Sequence, residues 1–244
     1  MNKKYFEQLT KRKSFHTRSS KECLSEHEIE QIQNQFHNLL ALDKKYKTHF
    51  ALVPSKLVSS RVGEYCILMY SSKEENNLVN IGYMGEQLDL WLADHNIGAC
   101  WFGMGKAKEQ CLDGLDFVIM MAIQKVDKQS FRSDVLKVKR KKLEAIWNNS
   151  HFKEIGEIIR YAPSACNSQP WLIEGDENSF CLYRVPGKLS FMTKKDATFY
   201  NKIDCGIMMC FLDVCLEHFK YSFAHTLAIS EDSKKQKIAT YKIG

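Results

Sequence analysis

An α+β fold is predicted for this 244-residue chain, and three observations carry the prediction. Two long apolar stretches with helical character, Asn80 to His95 and Ile203 to Tyr221, are too long to be strands. Between and after them stand short apolar runs bounded by turn residues, Tyr65 to Tyr70 and Phe117 to Ile123, which read as buried strands. A hairpin pattern follows, Trp171 to Glu174 and Ser179 to Arg184 around the polar residues 175–178. Lys125 to Lys142 is strongly basic with few large apolar residues and reads as a linker dividing the chain.

The remaining elements follow in order. Lys3 to Thr10 is a short amphipathic helix leading into Arg12-Lys13-Ser14. Ser25 with Glu28 three residues on is a capping box, opening a helix expected from Glu26 to Leu42. Its apolar positions Ile29, Ile32, Phe36, Leu39 and Leu40 keep helical spacing. Residues 71–77 form a polar loop. In the 80–95 helix Leu88, Trp91, Leu92 and His95 share a stripe, and Asn96 and Gly98 end it. His151 to Tyr161 is a further helix, stopped by Pro163. The stretch from Ser230 to Lys237 is charged, and Ile238 to Ile243 reads as a short last strand. Met84 to Leu92 aligns with Cys205 to Asp213 through Gly85 and Gly206, each near the start of an apolar helix. The alignment suggests a duplication, with glycines that let two helices pack closely; two unrelated core helices remain the other reading.

Composition narrows the class. The chain is 44% hydrophobic and 26% charged, ordinary globular usage with enough length for a substantial core. No run of about 18 apolar residues occurs, so no membrane span is expected. Met1 to Arg18 is charged and lacks the apolar core of a secretory signal, which points to the cytoplasm. The net charge of +6 suits an anionic ligand, a nucleic acid or plain solubility alike. The nine cysteines contain no C-x-x-C pair, and none stands with histidine at zinc-binding spacing. Cys205, Cys210 and Cys215 recur every five residues, a rotation of about 140° around a helix, so they share no face and no metal site is expected.

The most distinctive stretch is Tyr161-Ala-Pro-Ser-Ala-Cys-Asn-Ser-Gln-Pro-Trp171. Pro163 and Pro170 constrain its two ends, while Ser164 and Asn167 place small polar groups beside that backbone. Such a corner suits a flat heteroaromatic ligand. It also reads as a plain helix–strand turn whose serine and asparagine satisfy local backbone groups.

The string A-P-S-A-x-N-x-Q-P-W resembles a signature of the FMN-dependent nitroreductase family. Arg12-Lys13-Ser14-Phe15-His16 stands where that family has R-R-S-x-R, with His16 in place of the second arginine. Gly98-Ala-Cys-Trp-Phe-Gly103 resembles its G-x-x-x-x-G region, and Arg140-Lys141-Lys142-Leu143-Glu144-Ala145-Ile146 its R-K-x-L-x-x-I cluster. The order of these elements is similar to that of the TM nitroreductase subgroup, in which two nitroreductase-like halves are fused in one chain. The resemblance implies an α+β nitroreductase-like fold with a mostly antiparallel sheet flanked by helices. The halves would be 1–147 and 148–244, one internal pseudo-dimer acting as a monomer or a homodimer.

It also implies FMN as cofactor and NAD(P)H as electron donor, with a small electron-poor acceptor such as a nitroaromatic or quinone. Arg12, Arg140 and Lys141 would meet the FMN phosphate, Ser14 the ribityl chain or a phosphate oxygen, and Lys13 the pyrimidine edge of the flavin. Cys100, Trp101, Phe102 and Gly103 would lie against the ring, with Gly103 allowing close backbone approach; Trp101 and Phe102 equally read as core aromatics. Pro163, Ser164, Ala165 and Asn167 would supply the second side of the site. The first half lacks a P-S-x-x-N string and the second lacks an R-R-S string, so the resemblance implies one complete site and one FMN per chain. No catalytic acid or base stands out. A flavin-binding protein without turnover is the main alternative; a nucleic-acid or interaction protein is disfavoured, since basic residues are spread along the chain without a recognition motif.

Overall fold

The computed structural model describes residues 4–17, 22–60, 62–186, 193–228 and 235–244. The chain runs α1 (Lys4–Lys11), α2 (Glu26–Gln35), β1 (Thr48–Pro54), β2 (Tyr65–Ser71), α3 (Asn77–Asp94), β3 (Ile97–Phe102), β4 (Cys111–Leu112) and β5 (Leu115–Lys125). It continues with β6 (Trp147–Asn148), α4 (Lys153–Ile159), β7 (Trp171–Gly175), β8 (Ser179–Arg184), α5 (Lys194–His218), β9 (Phe223–Leu227) and β10 (Gln236–Ile243). The α+β class is as expected, and its pairing is divided over two sheets. The first has the order β1-β2-β5-β3 with β4 beside β5, all antiparallel. The second has the order β6-β7-β8-β10-β9, antiparallel apart from the parallel β6–β7 pair. Because β6 opens the second sheet at Trp147, that strand straddles residues 147 and 148.

Between the sheets α3 and α5 pack together along much of their length, and most of α5 from Ile203 to Leu216 is buried. The contact is close because glycines sit in it. A Cβ on Gly206 would stand 1.9 Å from the carbonyl oxygen of Val79, and one on Gly82 would stand 2.0 Å from that of Ile203. The partner of Gly206 is therefore Gly82 rather than the Gly85 to which the sequence alignment matches it. Gly85 faces Trp101 instead, where a Cβ would lie 2.4 Å from the indole.

Several boundaries differ from the sequence reading for identifiable reasons. The capping box forms as expected, with Ser25 Oγ accepting from the Glu28 amide and Glu28 Oε2 from the Ser25 amide. The helix it opens ends at Gln35 and a tighter turn at 36–38, short of Leu42. Buried side chains of α3 capture the backbone beyond: Gln87 bonds both the amide and the carbonyl of Leu40, and Asn80 Oδ1 accepts from the Leu42 amide at 2.8 Å. The last long helix begins nine residues earlier than expected, at Lys194, because Thr193 caps it through the Asp196 amide. Strands β1 and β9 go unrecognised in the sequence, and residues 97–102 form a true strand on β5. Of the charged stretch 230–237, residues 230–234 lie outside the described residues.

All nine cysteines are free thiols, and burial pushes Cys205, Cys210 and Cys215 above the ordinary thiol value. Among the described residues no helix is long and apolar enough to cross a membrane.

Candidate functional site

The first wall of the site comes from the end of α1 and the segment after it. Arg12 stays in register with the helix through its amide on the Gln8 carbonyl. Ser14 then bridges to Ala99 of β3, and the Phe15 amide bonds the Ala99 carbonyl at 3.0 Å, so the 12–16 segment is stitched to that strand. Arg12 is only 2% exposed. Its Nη2 lies 2.9 Å from Asp89 Oδ2, and its Nε 4.0 Å from Glu86 Oε1. Asp89 also accepts from the Trp101 indole at 3.1 Å, which fixes that ring. One guanidinium thus serves two buried carboxyls. Burial and then the neighbouring Asp89 push Glu86 above the usual carboxylate range, while Arg12 draws it back in part.

The second wall is the corner after α4. Asn167 donates its amide to the Ser164 carbonyl, and Ser164 Oγ accepts from the Gln169 amide at 2.9 Å. Cys166, Asn167 and Gln169 all have positive φ, 51°, 54° and 48°. These left-handed conformations are unfavourable for residues with a Cβ. They are held by a zipper to the basic segment: Arg140 donates to Asn167 Oδ1 at 2.6 Å and to the Tyr161 carbonyl, Asn167 Nδ2 bonds the Lys139 carbonyl, and the Lys141 amide and Nζ bond Gln169. The corner and the R-K cluster, 27 residues apart in sequence, are one hydrogen-bonded unit.

The two walls face a single cavity of about 510 Å³. Arg12, Lys13, Ser14, Trp101, Gly103 and Arg140 line it from the first set, and Pro163, Ser164, Ala165 and Asn167 from the second. Cys100, Phe102 and Lys141 stand outside its lining. Phe102 packs in the smaller apolar cluster on the far face of the first sheet, as strand alternation dictates beside Trp101. Cys100 is buried, with His16 Nδ1 3.5 Å from its sulfur, and Lys141 is engaged with Gln169. The close approach at Gly103 is made by Tyr200: its hydroxyl donates to the Gly103 carbonyl at 2.6 Å, and a Cβ there would strike its ring at 2.8 Å.

Of the lining residues that the sequence reading missed, Arg132, Tyr200 and Asp204 bear most on the chemistry of the site. Arg132 lies in the basic linker, where nothing marks it from its neighbours; its Nη1 donates to the Thr10 carbonyl at 3.3 Å. Tyr200 and Asp204 lie on the part of α5 that looked like loop or plain core. Asp204 accepts the Ala165 amide at 2.9 Å, and burial pushes its carboxyl up to about 7. The arginines strain the site electrostatically. Burial, then Arg132 and Arg12, bring Arg140 down to about 10, and burial and Arg12 lower Arg132. Cations held this way against one another form a seat for an anion.

Two sheets packed on a pair of central helices make this an α+β fold of nitroreductase type. The chain matches the family described as "Putative TM nitroreductase" over residues 4–215, and it belongs to that family. Its structure is similar to the crystal structure of a "putative nitroreductase" from Thermotoga maritima MSB8, with a TM-score of 0.62 and 21% identity over 100% of this chain and 93% of that one. A nitroreductase family protein from Clostridium novyi NT matches with a TM-score of 0.40 and 14% identity over 55% of this chain and 89% of that one. No curated protein matches the sequence.

Proposed function

We propose that the protein is an FMN-dependent oxidoreductase of nitroreductase type, taking electrons from NAD(P)H and passing them to a small electron-poor acceptor such as a nitroaromatic or a quinone. The observation that carries this reading is the convergence of the 12–14 and 132–140 cations with the 163–167 corner on one cavity.

The residues present fit FMN. A volume of about 510 Å³ is in the range of cofactor sites. The FMN phosphate carries nearly two negative charges, and Arg132 and Arg140 are the cations whose mutual repulsion it would relieve. Arg12, neutralised by Asp89, orients the segment bearing Lys13 and Ser14 rather than adding net charge. Ile119, Ile203, Ile207 and the tethered Trp101 give an apolar wall for a flat ring system, and Ser164 and Asn167 offer polar groups at its edge. Lys141 clasps the corner from outside, and Cys100 and Phe102 brace β3. A bound flavin would supply hydride acceptance at N5 and onward electron transfer; the protein's part is to bind, orient and screen it.

In this reading the halves 1–147 and 148–244 act as an internal pseudo-dimer with one complete site, whatever the state of self-association. One FMN per chain is expected from the absorbance of the denatured holoprotein, and two would overturn the pseudo-dimer. Replacing Arg132 by alanine is expected to weaken FMN binding about 10- to 100-fold, as loss of one charge-assisted hydrogen bond does, and to leave riboflavin binding unchanged. Fluorescence titration with both ligands checks this; equal losses would mean the phosphate sits elsewhere. Anaerobic mixing with NADH or NADPH should bleach the bound flavin. A flavin held at full occupancy that neither donor reduces would leave a binding protein without turnover.

A further inference from the structure

Asp204 is a buried carboxyl, 3% exposed, among the residues lining the cavity. It forms no ion pair among the described residues. One oxygen accepts the Ala165 amide; the other lies 3.4 Å from Asn201 Nδ2. Asn201 is fully buried, and its Oδ1 has no hydrogen-bond partner. As placed, Asn201 Nδ2 donates to Asp204 Oδ2, so this carboxyl is held in the cavity wall by two neutral N–H donors and by no cation among the described residues.

Burial is the main influence on the group, opposed by the Ala165 amide and Asn201. Arg12 is paired with Asp89, while Arg132 and Arg140 keep their charge on neutral oxygens and form no ion pair with Asp204. The titratable neighbours are Cys166 on the corner and Cys205 on α5, the latter also feeling Arg184 of β8; both thiols are raised by burial first and then by Asp204. Neither ionises in the range where Asp204 does, which burial places at about 7.

We propose that Asp204 is the proton donor of this site, a neutral carboxylic acid that gives its proton to the acceptor during reduction. The proposal rests on the oxidoreductase reading above. A quinone becomes a hydroquinone by taking up one hydride (that is, two electrons and one proton), which originates from NAD(P)H, plus one further proton. Asp204 supplies that further proton to the quinone oxygen and regains one from solvent through the cavity. The charge left on Asp204 is accommodated by the Ala165 amide and by Asn201 Nδ2, which donate to its two oxygens.

The test uses the holoprotein and Asp204→Asn, which keeps an acceptor for the Ala165 amide. In stopped flow, NAD(P)H should bleach the flavin equally fast in both proteins. Reoxidation by a quinone should be about a hundredfold slower in the variant, within the usual range for a lost general acid. In the unaltered protein that rate should fall as pH rises through about 7. Infrared difference spectra of the cofactor-free protein give an independent readout: the protonated-carboxyl carbonyl absorption titrating in the same range, to which Asp213 also contributes, should lose its Asp204 component in Asp204→Asn and keep the rest. A flavin that NAD(P)H leaves oxidised overturns the underlying functional reading and the proposal with it. Normal bleaching with equal reoxidation in the two proteins, or an infrared titration identical in the two, overturns the assignment of Asp204 alone.

Discussion

Gly206→Ala is expected to destabilise the protein by about 3 kcal/mol or more, at or beyond the top of the range for overpacked cores. Helix propensity argues the other way, since alanine in a helix interior is favoured over glycine by about 1 kcal/mol. Packing wins because the obstacle is backbone. A Cβ at this position would lie 1.9 Å from the Val79 carbonyl oxygen and 2.8 Å from the Tyr83 amide nitrogen. Neither can rotate away, so α3 and α5 must separate, and they carry much of the core between the sheets. Gly82→Ala should behave alike, since its Cβ would meet the Ile203 carbonyl oxygen at 2.0 Å. Gly85→Ala is the contrast: it strikes the Trp101 indole, a side chain that can shift, so a smaller loss of stability is expected with a larger change at the cavity wall. Urea unfolding of the three variants checks the ranking. A Gly206→Ala protein as stable as the parent would mean that the helices do not cross at backbone contact.

The elements legible in the sequence are those whose signal is local. Ser25 and Glu28 make their cap within one turn, and the runs at 65–70 and 117–123 are apolar because both faces of the first sheet's centre are covered. What sequence misses is decided by distant partners. Nothing in residues 36–42 reveals that Gln87 and Asn80 draw their backbone out of the helix. Of the two glycines aligned in sequence, Gly206 lies at the helix crossing and Gly85 faces Trp101, because the crossing depends on the angular position of Gly82, one turn away.

The candidate site divides the same way. Motif residues at 12–14, 101, 103, 140 and 163–167 do reach one cavity, since each lies in a segment whose local chemistry marks it. Arg132, Tyr200 and Asp204 are ordinary residues in ordinary stretches and acquire meaning only from what they face. Arg12 shows the converse: a basic residue before a serine reads as a phosphate ligand, yet Asp89 and Glu86 on α3 already engage it.

The other large effect expected is on stability against pH, through Asp213. This carboxyl is 3% exposed on α5, accepting the Tyr83 hydroxyl at 2.7 Å and the Tyr241 hydroxyl at 2.9 Å. His225 Nδ1 stands 3.7 Å away, and burial lowers that imidazole, so it brings no charge near neutrality. Burial raises Asp213 from its ordinary 3.8 to about 7, although the two phenols pull it back in part. The folded protein therefore holds a proton that the unfolded chain has released. The resulting stability is fully present below about pH 4 and is lost as pH rises through 7, at up to about 1.4 kcal/mol per pH unit. Asp204 contributes with the same sign.

Asp213→Asn removes one of these two titrations. The amide still accepts from one tyrosine but turns its NH2 toward the other, a loss of about 1 kcal/mol at any pH. At pH 5 the variant should be the less stable protein; between pH 5 and 8 the balance should move in its favour by about 2 to 3 kcal/mol, making it the more stable one at pH 8. Urea unfolding of both proteins across that range reads the difference directly. A constant gap would mean that Asp213 is ionised throughout, its charge fully held by Tyr83 and Tyr241.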